Sequence, residues 1–375
     1  MRSPAFLAGT LAVLVAAACG DDGSPPQRVT GTPTTTASPG ETPAPAPAEP
    51  PRRPPVRLTI AVSGDLLPHL PVVARARALA GGSGYDFAPL LRELRPLVRR
   101  ADLALCHVET PLVPGAPAGY PSFRTPPALA RAIRVTGWNV CSTASNHTVD
   151  AGQAGVDSTV RALDRVRVRH TGSYRSPRAR RRPVILRARG VRVAFLSYTT
   201  STNGIRRPHP WSVNLADPRR ILRDARRARR AGARVVVVNM HWGTEYSHAL
   251  DGQQRRLAAR LMRSRAITAL VGQHAHVVQP IRRVRGRWVV FGAGNLLSNQ
   301  SSACCPAATQ DGMVALLGIR VRGNRARVER IRYAPTWVRH PDFTVVRAPR
   351  DSWRRTVRTV GRGRGLRPLP RRASR

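Results

Sequence analysis

The chain has 375 residues with a formal net charge of +43, and 42% of its residues are hydrophobic. That apolar share supports a sizeable core and excludes a wholly disordered or fibrous chain, and five cysteines in this length exclude a disulfide-framework protein. All 63 basic residues are arginine and none is lysine; a GC-rich genome accounts for the bias, and the positive surface it leaves attracts polyanions in a salt-sensitive way.

In chain order, residues 1–19 place Arg2 ahead of an apolar run from Ala5 to Ala18. The run is too short for a permanent bilayer helix and suits a secretory signal. Ala16, Ala17 and Ala18 then meet Cys19, the pattern of a bacterial lipobox with Ala where Leu is usual. The expectation is an exported protein, lipid-anchored through Cys19 to the outer face of the cytoplasmic membrane, rather than one with an ordinary cleaved signal. Residues 20–56 are rich in Pro, Thr and Ala, and predict a proline-stiffened, disordered tether. The folded domain is expected over 57–340. Residues 341–375 hold eleven arginines and few apolar residues, and predict a loosely ordered basic tail.

Within 57–340 strand and helix periods alternate. Strands are predicted at Leu58–Val62, Leu103–Val108 and Val140–Ala144, with helices at Phe87–Arg100, Ala128–Val135 and Val156–Val166. Val184–Ala188 and Val191–Tyr198 flank Arg189-Gly190 as a hairpin. An arginine-rich helix at Ile221–Ala231 precedes a buried strand at Val235–Met240, a helix at Leu257–Met262 and a strand at Ala269–Val271. Hairpins follow: Ile281–Val284 with Trp288–Phe291, and Met313–Val321 with Ala326–Tyr333. Alternating βα units followed by hairpins predict an α/β sandwich of mixed β-sheets.

Metal-ligating residue types cluster just past these strands, where α/β folds place their sites. The strand ends carry Asp65, Glu109, Asn146-His147 with Asp150, His241, and His274 with His276. Carboxylates and imidazoles in this mixture suit a divalent transition metal such as Mn, Fe or Zn. Two ions need about seven contacts, which Asp65, Glu109, Asn146, His241, His274 and His276 provide if one carboxylate bridges. Each residue alone has an ordinary alternative: a turn for Asp65, a cap for Asn146, a satisfied core histidine for His241. Their joint placement at strand ends carries the reading. An H-x-H pair on an extended segment points to opposite faces, so the chain must bend there or serve two ions, and Gly272 is expected to supply the bend.

The ordered motifs G-D, E-x-P-L, S-N-H-x-x-D-x-G, H-W-G-x-E-Y, G-x-H-x-H-V-V-Q and G-N over roughly residues 58–300 resemble the CapA family of capsule-biosynthesis proteins, associated with poly-γ-glutamate. That family falls in the calcineurin-like metallophosphoesterase superfamily. The resemblance implies a four-layer αββα sandwich with a two-metal centre. It assigns Asp65 and His276 to the first ion, Glu109 as the bridge, and Asn146, His241 and His274 to the second. His147 becomes a general acid or substrate-oriented imidazole with Asp150 orienting it, and a water between the ions the nucleophile. Two departures stand out. The superfamily's D-x-H is here Asp65-Leu66-Leu67, so its histidine is missing, with His69 four positions on. His107 replaces the Asn before Glu109, either as an extra ligand or as a polar strand residue.

Partners follow from the same features: an anionic cell-surface polymer, the membrane through the lipid anchor, and a polymer synthase or export complex. The arginines of 219–230 read as a solvated helix face or as a polyanion track. Nucleic acid is not indicated, since no aromatic-interleaved basic motif accompanies the charge. Cys106 and Cys141 read as buried small residues or as one disulfide, and Cys304-Cys305 follow the Gly294-Asn295 loop. A second function class stands beside the metalloenzyme: a non-catalytic polyanion-binding protein on the same fold.

Overall fold

The strand that opens the domain, β1 (Val56–Leu67), is buried from Ile60 to its end. It therefore lies inside a sheet with both faces covered. This is a computed structural model, and it describes Gly31 and residues 54–371. The expected signal segment, and the expected tether apart from Gly31 and residues 54–56, lie outside the described residues.

After β1 come α1 (Leu70–Leu79), a 3₁₀ turn at Pro89–Leu94, α2 (Arg95–Val98), β2 (Leu103–Val108), α3 (Leu129–Thr136), β3 (Val140–Ser142), α4 (Gly152–Arg165) and β4 (Arg169–Thr171). The middle of the chain forms α5 (Pro177–Arg181), β5 (Val184–Ala188), β6 (Val191–Thr199), α6 (Pro218–Arg230), β7 (Val235–Trp242), α7 (Gly252–Leu261) and β8 (Ala269–His274). It ends in β9 (Ile281–Val284), β10 (Arg287–Val290), β11 (Asn295–Ser298), β12 (Asp311–Arg322), β13 (Arg325–Arg339), β14 (Thr344–Arg347), α8 (Arg350–Val360) and β15 (Leu366–Pro368).

Two mixed sheets result. One runs β14-β13-β12-β1-β2-β3-β4, with β11 beside β1 and β15 beside β13; the other runs β5-β6-β7-β8-β10-β9. Ile60, Val62, Leu105 and Leu317 of the first sheet meet Val193, Phe195, Val237 and Val271 of the second in a shared core. The first sheet's outer face packs Val72, Leu91, Leu94, Ile133 and Leu163 from its helices. The second sheet's outer face packs Ile221, Ala225, Ala258 and Leu261 of α6 and α7. Helix, sheet, sheet, helix: this is the four-layer mixed α/β sandwich that the alternating periods and the resemblance predict.

Local chemistry explains where the elements fall. The β5–β6 hairpin turns on Arg189 and Gly190, both at positive φ (47° and 74°), the backbone twist that a two-residue hairpin prefers. Helix α7 begins with a capping box between Asp251 and Gln254. The single helix predicted over Phe87–Arg100 divides instead, because Pro96 lacks the N–H that a continuous i→i−4 ladder needs. The segment after His340 also differs from the loose tail expected from its arginines. Val345, Ala348, Val360 and Leu366 are buried, β14 and β15 both pair with β13, and Arg355 of α8 bonds Asp311 at 2.6 Å. Most of its described arginines are exposed, while widely spaced apolar residues meet the sheets.

Candidate metal centre

The C-terminal ends of the parallel strands converge on one edge. Asp65 is opposite His107 across β1 and β2 and opposite Asn295 across β1 and β11, and Trp242 is opposite His274 across β7 and β8. The two sheets are joined there: Gln273 Nε2 donates to Ser63 O at 3.0 Å and the His274 N–H donates to Asp65 Oδ2 at 3.1 Å. Gly64 has no room for a side chain, since a Cβ would collide with the Gly294 carbonyl, to which the Asp65 N–H donates at 3.0 Å. The G-D and G-N motifs are thus two halves of one contact.

Metal-competent side chains form overlapping groups: Asp65, Glu109 and His276; Glu109, His241 and His274; Asp65, His107 and His241; and Glu245, His274 and His276. Within each group the ligand atoms lie within 4.8 Å of one another. Asn146 joins through its Oδ1, 2.8 Å from His241 Nε2. Every residue expected to hold metal is therefore brought to this edge. Asp65 and Glu109 are fully buried, yet Asp65 Oδ1, both Glu109 carboxylate oxygens and His274 Nδ1 have no hydrogen-bond partner. Buried carboxylates without compensation are costly, and the donor set is the one a divalent transition ion takes. The residues fit such an ion.

Proton bookkeeping points the same way. Where Ser142 Oγ donates its one proton to Cys106 O at 3.1 Å, it accepts from His107 Nδ1–H at 2.8 Å. His107 Nε2 is then the acceptor for His241 Nδ1–H at 3.0 Å. This leaves His241 Nε2 a bare lone pair, facing the Asn146 oxygen at 2.8 Å and Glu109 Oε1 at 3.6 Å. Asn146 Nδ2 donates to Asn203 Oδ1 at 3.2 Å, which fixes that oxygen toward the histidine. Two lone pairs aimed at each other are what a shared cation satisfies. On the other side, Asn295 Nδ2 donates to Gln300 Oε1 and Thr309 O. Its Oδ1 therefore accepts from His276 Nδ1–H at 3.1 Å, leaving His276 Nε2 facing Glu109 Oε1 at 3.8 Å. Second partners of this kind fix the tautomer of metal-binding histidines. His107 is thus neither of its two sequence alternatives alone: it is the group that aims His241.

Burial pushes His241 well below the usual imidazole range and holds His107 and His274 at about 4, so these rings are neutral donors. Burial also pushes the Glu109 carboxyl up, with the Asp65 charge adding to it. Burial opposes charge on His276 as well, but Glu109 and Asp65 outweigh it and raise the ring to about 9.

The bend of the H-x-H segment is not at Gly272. His274 and His276 themselves take positive φ, 95° and 56°, a conformation that costs about 1–3 kcal/mol per non-glycine residue and persists where surroundings impose it. Gly272 serves close packing: a Cβ would strike the Phe291 carbonyl and the Trp242 indole, whose Nε1–H donates to that carbonyl at 2.9 Å.

His147 Nδ1 and Asp150 Oδ2 are 2.8 Å apart, and the same carboxylate oxygen accepts the Phe123 N–H at 2.8 Å. The Phe123 ring meets both His147 and His69 edge-on, with centroids 4.7 and 5.3 Å away. His69 Nδ1 is turned to Leu67 O at 3.0 Å, and His69 belongs to none of the metal-competent groups among the described residues. Ser142, Ser145 and Asn295 were not singled out as site residues in the sequence. Ser145 Oγ donates to Glu109 O at 2.5 Å, tying the S-N-H loop to Glu109; its motif position was the available signal. Cys106 and Cys141, register partners on β2 and β3, are joined as a disulfide.

The family of the bacterial capsule synthesis protein PGA_cap matches residues 59–300. The chain is 24% identical over 256 residues to "Capsule biosynthesis protein CapA" of Bacillus anthracis, covering 65% of this chain and 60% of that protein. It is 28% identical over 173 residues to "PGA biosynthesis protein CapA" of Bacillus subtilis, covering 45% of each. The matched region thus spans between about half and three fifths of these relatives' own length. Among solved structures, a calcineurin-like phosphoesterase, YfkN from Bacillus subtilis, aligns at a TM-score of 0.48 with 14% identity, covering 81% of this chain and 96% of that one.

Proposed function

The chain belongs to the PGA_cap family of bacterial capsule synthesis proteins, and from that membership we propose that it acts at the cell surface in the synthesis, anchoring or export of an anionic polymer of the poly-γ-glutamate type, through a metal-dependent hydrolase or transferase centre. The reaction class is cleavage or transfer at a phosphoester or related acyl bond. The observation that carries the proposal is the set of orphaned, fully buried carboxylate oxygens of Asp65 and Glu109 facing the ring nitrogens of His241 and His276.

In this reading Asp65 and His276 would hold one divalent ion and Asn146, His241 and His274 the other, with Glu109 shared between them; Mn, Fe and Zn suit the donors. Such ions supply Lewis acidity, which stabilises charge developing on the scissile group. The chain supplies the rest. Asp150 takes the His147 Nδ1 proton in a hydrogen bond and fixes the ring, so Nε2 is the atom that gives a proton to a leaving oxygen or takes one from an attacking group. Phe123 walls the other side of that ring. Arg206 is exposed three residues beyond Asn203, which touches Asn146.

The second reading, polyanion binding without catalysis, rests on Arg219, Arg223, Arg226 and Arg230, exposed at helical spacing along α6. The other α6 arginines include structural ones: Arg229 donates to Ala266 O and Thr268 Oγ1, and Arg227 lies 3.7 Å from Asp224.

Elemental analysis of the purified full chain, with hydrolysis of bis(p-nitrophenyl) phosphate, separates the two. The metalloenzyme reading predicts bound Mn, Fe or Zn and hydrolysis, with the hydrolysis abolished in His241→Ala. Metal-free protein that is inactive yet still retains polyglutamate contradicts it and favours the binding protein.

A further inference from the structure

We infer that Glu245 is an additional ligand of this centre and takes the place of the histidine missing from the D-x-H motif, completing the ion held by Asp65 and His276. The inference rests on the two-ion reading above. In that reading the ion bound by Glu109, Asn146, His241 and His274 has four protein donors. Its neighbour, with Asp65, Glu109 and His276, has only three, because Leu67 stands where the motif has its second donor.

Glu245 lies just past β7, on the turn begun by Gly243 at φ 102°. That turn is not free to drift. The Tyr246 N–H donates to Ala275 O at 2.8 Å, pinning it against the residue between the two site histidines. The pin brings a Glu245 carboxylate oxygen within 4.8 Å of ligand atoms of both His274 and His276, with Oε1 4.0 Å from His274 Nδ1. That nitrogen is buried and unpartnered. The distance exceeds a hydrogen bond, so the carboxylate does not already hold the ring. Tyr246 shares the left-handed conformation of His274 and His276, at φ 63°; such backbone is retained where a site imposes it.

Charge argues for the same residue. Two divalent ions bring four positive charges, and Asp65 with Glu109 return two. A third carboxylate approaches balance where neutral imidazoles cannot. The Glu245 side chain is 42% exposed. It sits at the open side of a centre whose other carboxylates are buried.

The test is Mn2+ binding to the full-length protein by equilibrium dialysis, with electron paramagnetic resonance of the bound ion. Wild type should take up two equivalents. Glu245→Gln should hold the second at least about tenfold more weakly, with its thermal midpoint in EDTA unchanged. The Mn2+ that remains should give the spectrum of Asp65→Asn, not that of His241→Ala. Unchanged affinity for both equivalents in Glu245→Gln overturns the inference while leaving the two-ion reading intact. A spectrum matching His241→Ala also overturns it, by making Glu245 a support for His274. Wild type that binds no Mn2+ refutes the inference and the reading together.

Discussion

At the scale of single residues, the candidate centre depends on side chains that aim other side chains. Ser142 sets the proton on His107, and His107 sets the proton on His241. Ser142→Ala removes that choice, and is predicted to weaken Mn2+ binding by about 10–100-fold, the usual cost of losing such a partner. Its effect on unfolding free energy should stay near 1 kcal/mol, the worth of one hydrogen bond. Isothermal titration set against urea unfolding checks both, and unchanged affinity would contradict the relay. Gly272→Ala should do the reverse. Its Cβ meets the Phe291 carbonyl and the Trp242 indole, and overpacking of this kind costs about 1–3 kcal/mol; an unaltered urea midpoint would show that the contact yields. The candidate metal-holding residues were legible because they cluster at or just past apolar strands. The positioning residues were not: Ser142 reads as an ordinary strand serine until register sets it opposite His107. The bend at His274 and His276 escaped the sequence too, because glycine is the residue that ordinarily signals positive φ.

At the scale of elements, the alternation of periods placed most strands and helices, and β2 and β5 fall where the pattern puts them. The failures share a cause. Short elements whose burial comes from distant partners show no period of their own, and β14 and β15 are of this kind. Their packing predicts that a chain ending at His340 loses the cooperative thermal transition of the full-length protein. A truncated form that melts like the whole would restore the expectation of a loose tail. Between β13 and β14, Asp342 accepts from Arg339 and from Thr344, and the Arg339 bond holds its carboxyl down at about 2. A carboxylate depressed below its unfolded value stabilises the fold above about pH 3.9, and that contribution vanishes as pH falls through the folded value. Asp342→Asn should therefore lower the thermal midpoint near neutrality and leave it unchanged at about pH 2. An equal drop at both would assign its effect to packing rather than charge.

At the scale of the whole molecule, the two sheets do more than share a core. Their C-terminal edges are stitched together by Gln273 to Ser63 and by the His274 N–H to Asp65, so ligands from both sheets face one volume. The mixed α/β sandwich was readable from alternating units, whereas strand order was not. That β12 returns antiparallel to β1 and β11 adds beside β1 depends on pairings between segments far apart in sequence, which no local pattern encodes. The account stands or falls on whether Asp65, Glu109, Asn146, His241, His274 and His276 enclose cations. Anomalous scattering from crystals grown with Mn2+ measures this directly. The account predicts two peaks at the sheet edges, with Glu109 touching both. Crystals grown in saturating Mn2+ with no peak among these side chains would contradict it.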